Sequence, residues 1–240
     1  MAKFQWNGDA VQLCQRKTNN MTYSFDNGKF NNYLKEMENY CPFLEPSTKK
    51  NLVNNTVITI NEDEQNKIES QIFWKSVEIT ELFREKRKQF CNQDRLLLNS
   101  NIIFIFESNI DTNILDWPHY ILKILYSNVG IVFGKFHKGA IKKSRLNGYM
   151  PSPPYTHLSI RSVIKKKDEK FFKNTPFLID DILESYDSGE NVFNKEILNS
   201  PIDFSNLSLD QREEIYNVLC KRGLEKLKIN KYKNASGTSS

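Results

Sequence analysis

Only three histidines occur in the 240 residues, at positions 119, 137 and 157, so any imidazole chemistry in this chain must use one of them. His137 has the most suggestive surroundings. It ends an apolar stretch, VGIVFGKFH over Val129 to His137, and opens a basic, proline-rich segment, Lys138 to Thr156. A histidine that leaves a buried strand for a long loop is well placed to be a ligand or a general acid or base. Its ordinary pKa lies near neutrality, and loops held by rigid elements carry function. Cations follow it closely: Lys142, Lys143 and Arg145 could clamp a carboxylate or phosphate. Strand alternation puts Phe133, Lys135 and His137 on one face and Val132, Gly134 and Phe136 on the other.

The remaining candidates are weaker. His157 opens a later strand, with Arg161 two alternations further on the same face, so both could line the pocket of His137. His119 sits beside Trp117 in the first turn of a helix and reads as a packing residue. Glu107, Asp111 and Asp116 cluster after a strand, where active-site loops lie, but helix capping explains Asp116 equally well. The cysteines at 14, 41, 91 and 220 form no CxxC pair, which disfavours structural zinc. Cys41-Pro42 resembles the dipeptide that can give haem a thiolate, yet it reads first as a buried structural thiol closing a helix. The chain has no HExxH pair, no GxSxG elbow and no glycine-rich phosphate loop, so zinc peptidases, serine hydrolases and P-loop enzymes are disfavoured.

These residues need elements to position them. Val53 to Ile60 alternates and is rich in β-branched residues, which predicts a strand. Asn101 to Glu107 (NIIFIFE) is continuously apolar, as in a strand covered on both faces. Val129 to His137 and His157 to Ile164 give two more strands. Helical spacing predicts helices over Phe30 to Tyr40, over Gln65 to Phe90 (with Ile68, Ile72, Ile79, Phe83 and Phe90 on one stripe), and over Leu115 to Ser127 with Asp116 as N-cap. The expected fold class is α+β, or α/β: a small mixed sheet packed with helices, plus a C-terminal helical extension. The expected division is an N-terminal arm over 1–29, a core over 30–172, a helical extension over 173–232 and a disordered tail over 233–240. Within the extension, Thr175 and Pro176 open one helix, 187–206 reads as linker, and Ser208 with Gln211 opens another helix.

Composition closes off other classes. With 39% hydrophobic and 26% charged residues, the chain has globular composition and enough length for a core without disulfide staples. The net charge of +5 is modest and its basic runs are short, so nucleic acid is not an expected partner. No apolar run is long enough for a membrane span, and a cytoplasmic location is expected. A small-molecule substrate is the expected partner, and a homodimer is left open.

Four blocks occur in a suggestive order: Cys41-Pro42-Phe43, a Trp-bearing helix, Gly134-Lys-Phe-His137, and Ser152-Pro-Pro-Tyr-Thr-His-Leu-Ser-Ile-Arg161. Over residues 38 to 172 the chain resembles an uncharacterised bacterial domain often encoded near natural-product biosynthetic enzymes. More distantly, the layout is similar to the YqcI/YcgG-type haem-dependent N-oxygenases. That resemblance implies haem b held by His137, with Ser144-Arg145 as the family's Ser-Arg pair, although the spacing is longer here and Lys replaces the preceding Arg. It also implies oxidation of a small amine, guanidine or amino-acid substrate in biosynthesis.

A haem needs an axial ligand, an apolar slot and cations for two propionates. On this reading His137 ligates the iron, Phe133 and Phe136 wall the slot together with Phe104 and Phe106, and Arg145 and Arg161 pair the propionates. His157, Lys143 and Cys41 are second-line candidates. Two other readings remain open. One is a non-catalytic module that binds an anionic ligand or a partner protein through the basic loop. The other is a haem-free enzyme with His137 as general base on a carboxylated substrate.

Overall fold

A computed structural model describes residues 11–13, 24–61, 65–107, 110, 113–144, 148–168, 172 and 175–193. In chain order the elements are β1 (Val11–Leu13), α1 (Asn27–Met37), α2 (Leu44–Lys49), β2 (Val53–Ile60), α3 (Gln65–Lys88), α4 (Asn92–Leu97), β3 (Asn99–Phe106), α5 (Asp116–Tyr126), β4 (Ile131–Phe136), β5 (Thr156–Ser162), α6 (Lys165–Asp168) and α7 (Ile179–Leu183). Short 3-10 turns precede β4 and α7.

The five strands form one mixed sheet in the order β1-β2-β3-β5-β4. β1, β2 and β3 run parallel, and β5 runs antiparallel to both β3 and β4. The α+β class with a small mixed sheet is as the hydrophobic patterns predicted. β3 is the middle strand, and its residues are buried from Asn99 to Ile105, which accounts for the unbroken apolar run Ile102 to Phe106 after the three buried polar residues Asn99, Ser100 and Asn101. β1 lies within the stretch expected to be an arm, yet it pairs with Thr56, Val57 and Ile58 at the sheet edge.

Helices α3 and α5 cover one face of the sheet. Ile68, Ile72, Phe73, Val77, Ile79 and Phe83 of α3 and Ile121, Leu122 and Leu125 of α5 pack on Ile58, Ile102, Phe104, Phe133, Leu158 and Ile160. The other face carries α1 and α2, whose Phe30, Tyr33, Met37 and Leu44 pack on Val57, Ile103 and Ile105. α1 begins earlier than its apolar spacing suggests because the Asp26 carboxylate accepts from the Lys29 backbone N–H at 3.0 Å and satisfies an orphan donor of the first turn. Asp116, expected to cap α5, is instead its first residue; Leu115 holds the cap position without a side-chain hydrogen bond.

Two features correct the expected domain division. Residues 175–193 fall in the expected extension beyond 172, yet they belong to the packed core. Leu178 and Ile182 pack with Ile124 and Val132, and Phe193 packs against Phe73 and Trp74. Asp187, expected to begin a linker, has a side chain only 1% exposed and is bound by Arg84 and Arg87 of α3. Glu81 and Tyr126 complete the group: Tyr126 Oη donates to Glu81 Oε1 at 2.9 Å and Arg84 Nη1 donates to Glu81 Oε2 at 2.7 Å. Burial pushes the Asp187 carboxyl up, but the hydrogen bonds from Arg84 and Arg87 outweigh it and hold the pKa at about 2. The helix expected from Ser208 and the tail over 233–240 lie outside the described residues.

Candidate functional site

β4 delivers His137 as the alternation predicts. Phe133 points into the core beneath α5, against Tyr126 at a ring-centroid distance of 5.8 Å. Two residues on, Lys135 reaches Asp116 at the start of α5 and pairs with it. Two further, His137 Nε2 lies 3.6 Å from the same carboxylate oxygen. Both contacts converge on Asp116 because α5 crosses the sheet face that carries the odd-numbered residues of β4. The gap to His137 is ion-pair range rather than a hydrogen bond.

The His137 imidazole is 17% exposed, and its Nδ1 is buried with no hydrogen-bond partner among the described residues. Burial lowers its pKa first; Asp116 raises it, while Lys135 and Lys142 lower it, and the balance is below the ordinary value. The neutral ring therefore prevails at pH 7. A proton on Nε2 would face Asp116 and leave the lone pair on Nδ1.

On the far side of β4, the ring of Phe136 lies flat on His157, with centroids 4.6 Å apart and planes at 6°. His157 is fully enclosed: Phe30 and Tyr33 meet its edge, and its Nδ1 lies 2.9 Å from the Tyr155 carbonyl. Burial drives its pKa down to about 4. Gly134 makes this arrangement possible, since a Cβ there would stand 2.7 Å from Ser159 Oγ and 3.0 Å from Phe136 Cε2.

Where β4 ends, Tyr33 and Met37 of α1, Phe136, His137 and the returning loop (Ala140, Lys142, Met150, Pro151 and Pro153) line a small depression with a cavity volume of about 10 Å³. The loop is a hairpin. Lys143 pairs with Tyr149, Met150 N donates to Lys142 O at 2.9 Å, and Gly139 N donates to Pro153 O at 2.9 Å. Lys142 extends its ammonium over the Phe136 ring at 6.0 Å. Its walls are mostly apolar, and it holds room for about one water molecule, far below the roughly 300–1,000 Å³ of drug-sized pockets.

The other expected site residues are not assembled here. Arg161 binds Asp168 through both guanidinium nitrogens at 2.7 Å and lies 4.7 Å over the Phe43 ring. It is thus committed to holding α6 and the Cys41-Pro42-Phe43 turn on β5. Lys143 is exposed on the hairpin. Cys41 is half-buried beside α1, packed with the α1–α2 cluster. Arg145 lies outside the described residues. His119 is half-buried: its Nε2 lies 3.1 Å from the Phe133 carbonyl, and burial lowers its pKa to about 4. Tyr33, Met37, Met150 and Asp116 were not foreseen at the site. Proximity along the chain gives no hint of Tyr33 or Met37, but Asp116 was visible as a carboxylate after a strand.

Residues 33–196 match the model of a family described as a domain of unknown function, DUF6875. The chain belongs to that family. No curated protein and no solved structure matches it significantly. The DUF6875 match begins at Tyr33, inside the cleft wall, and runs past Phe193, so it takes in the cleft and the Asp187 strap together. Among the described residues of the DUF6875 domain, no group of three or more His, Cys, Asp and Glu could hold a metal ion, and no helix is long and apolar enough to cross a membrane.

Among the described residues, the set expected for a haem is not brought together around His137. Phe133 and Phe136, the expected slot walls, lie on opposite faces of the sheet, Phe133 in the core and Phe136 against His157. Phe104 belongs to the core, with Phe106 packed against it. Arg161, the expected propionate partner, is occupied by Asp168. Within the described part of the expected set, His137 Nδ1 is a buried nitrogen with no hydrogen-bond partner among the described residues.

Proposed function

We propose that this domain binds a small molecule in the depression beside His137 and uses that imidazole as a general base. One observation carries the reading: His137 lines the depression with its Nδ1 buried and without a hydrogen-bond partner among the described residues, while Nε2 lies 3.6 Å from Asp116. A buried acceptor without a donor costs roughly 1–3 kcal/mol, and a ligand O–H or N–H would remove that cost. A base needs a free lone pair at working pH, and burial keeps this ring neutral. Asp116 would stabilise the imidazolium formed when the proton arrives. Lys135, paired with the same carboxylate, limits that effect and keeps the base weak enough to give the proton back. A cytoplasmic setting accords with the free thiols of Cys41 and Cys91.

The test is a fragment screen followed by protein NMR. Binders should shift the resonances of Tyr33, His137 and Met150 together, and His137→Ala should abolish the shifts. A screen in which no fragment moves these residues overturns the reading.

A haem-dependent oxygenase is the second reading, supported by the neutral His137 with its unpaired nitrogen. It requires the hairpin to move and other cations to replace Arg161. A Soret band that appears on haem supplementation and disappears in His137→Ala would favour it over the first.

A further inference from the structure

The hairpin that leaves β4 has two sides. Lys143 and Tyr149 stand opposite each other, flanked by hydrogen bonds from Ser144 N to Gly148 O and from Met150 N to Lys142 O, both 2.9 Å. The side chains of such a pair project to one side of the ribbon. Alternation sets Ile141 on that same side, while its neighbour Lys142 and Met150 line the depression on the other. The outer side carries two large apolar groups in solvent: Ile141 is 75% and Tyr149 66% exposed. It is also cationic. Lys143 is exposed there, Lys138 and Lys142 are exposed beside it, and none of the three pairs with a carboxylate among the described residues. The sequence from 137 to 156 contains no Asp or Glu to neutralise them. Such a face fits a partner surface that is both apolar and acidic.

We infer that the outer face of the hairpin is covered by the chain's own C-terminal segment, 208–227. The place where the described chain stops favours this occupant. Phe193 packs on Phe73, the Phe73 ring lies 5.8 Å from Trp117, and the adjoining Asp116 lies 3.6 Å from His137, where the hairpin starts. From Phe193, 14 residues (194–207) lead to Ser208, and an extended chain of that length reaches about 45 Å. The sequence beyond is complementary to the face. The helix expected from Ser208 carries Asp210, Glu214 and Val218 on one row, four residues apart, with Ile215 and Leu219 on the next. Its carboxylates match Lys143 and the lysines beside it, and its aliphatic groups match Ile141 and Tyr149. The inference goes beyond the ligand reading and does not rest on it, because the face lies across the hairpin from the depression.

The test combines zero-length carbodiimide cross-linking with backbone hydrogen exchange, both on the full chain, with light- and heavy-isotope protein mixed before cross-linking. Cross-links should join Lys142 or Lys143 to Asp210 or Glu214 within one chain, and the amides of 208–227 should exchange slowly. Ile141→Ser with Tyr149→Ser should speed that exchange about tenfold and leave the amides of β2 to β5 as in the wild type. Lys143→Glu should speed it about threefold, and adding Glu214→Lys should return it toward the wild-type rate. Cross-links found only between light and heavy chains would make the occupant a second copy and overturn the inference. So would the absence of any cross-link from the hairpin to 208–227, or fast exchange throughout that segment in the wild-type chain. Exchange unmoved by the two serines would overturn it as well. Should the serines also speed the amides of the sheet, the exchange of charge between Lys143 and Glu214 decides alone, and no recovery in that double variant sinks the proposal.

Discussion

Phe136 and His157 lie face to face on neighbouring strands, centroids 4.6 Å apart, and this stack joins the floor of the cleft to the buried interior beneath α1. It works only while His157 is uncharged, because nothing in its aromatic surroundings compensates a cation. Burial alone holds its pKa at about 4, and His119 is held there too.

Acid should therefore weaken the fold in two steps. A histidine with a depressed folded pKa binds its proton more weakly in the folded than in the unfolded state. Its contribution is fully present above the ordinary 6.5 and is lost as pH falls toward about 4. Asp187 adds a lower step, lost as pH falls from 3.8 toward about 2. Thermal unfolding between pH 7 and pH 4 should show the first step. His157→Asn, which keeps a donor near the Tyr155 carbonyl, should shrink it to the part due to His119. A melting temperature that is flat over that range would contradict the assignment.

Replacing Asp187 by Ala should cost about 3–5 kcal/mol in urea unfolding, the usual penalty for stranding a buried charge. Arg84 and Arg87 would then lie side by side, both nearly fully buried, without their shared anion. The double change Asp187→Ala with Arg87→Met should recover part of the loss, since it removes one of the stranded cations. Failure of the second change to recover any stability would mean that the strap is held by Phe193 and not by charge.

Gly134→Ala should destabilise by about 1–3 kcal/mol, in the range of overpacking, because its Cβ would collide with Ser159 Oγ and the Phe136 ring. Ser159→Ala removes the nearer obstacle, so the double variant should regain stability. Disturbance of Phe136 should also appear at the cleft: NMR shifts of Met150 should move in Gly134→Ala and return toward wild type in the double variant.

Asp116→Asn should lower the His137 pKa further. The carboxylate is the group that raises it, against the burial and the two lysines that lower it. An NMR titration of the imidazole protons reads this directly. An upward shift in the variant would mean that Lys135, released from Asp116, moves away from the ring, and that the lysine dominates the local field.

Much of the fold was legible in local pattern. The two-residue alternation of β2, the unbroken apolar run of β3 and the helical stripe of α3 each follow from where neighbouring side chains must point. The same alternation put Lys135 and His137 on one face, and both do reach Asp116. At Gly134 the structure brings Ser159 Oγ and the Phe136 ring too close for a Cβ.

Sequence by itself thus determined the strands and main helices, the scarcity of imidazoles and the exit of His137 from a buried strand into a basic loop. Tertiary structure alone decided which charges are buried. Arg84 and Asp187 meet across 103 residues, and no periodicity within a helix can pair groups so far apart. It also decided that Arg161 serves Asp168, that Phe133 and Phe136 belong to different faces, and that Tyr33 and Met37 wall the cleft. Side-chain direction is a local property, fixed by a few neighbouring dihedrals. The partner a side chain finds depends on how distant segments are laid against one another by the burial of the whole core.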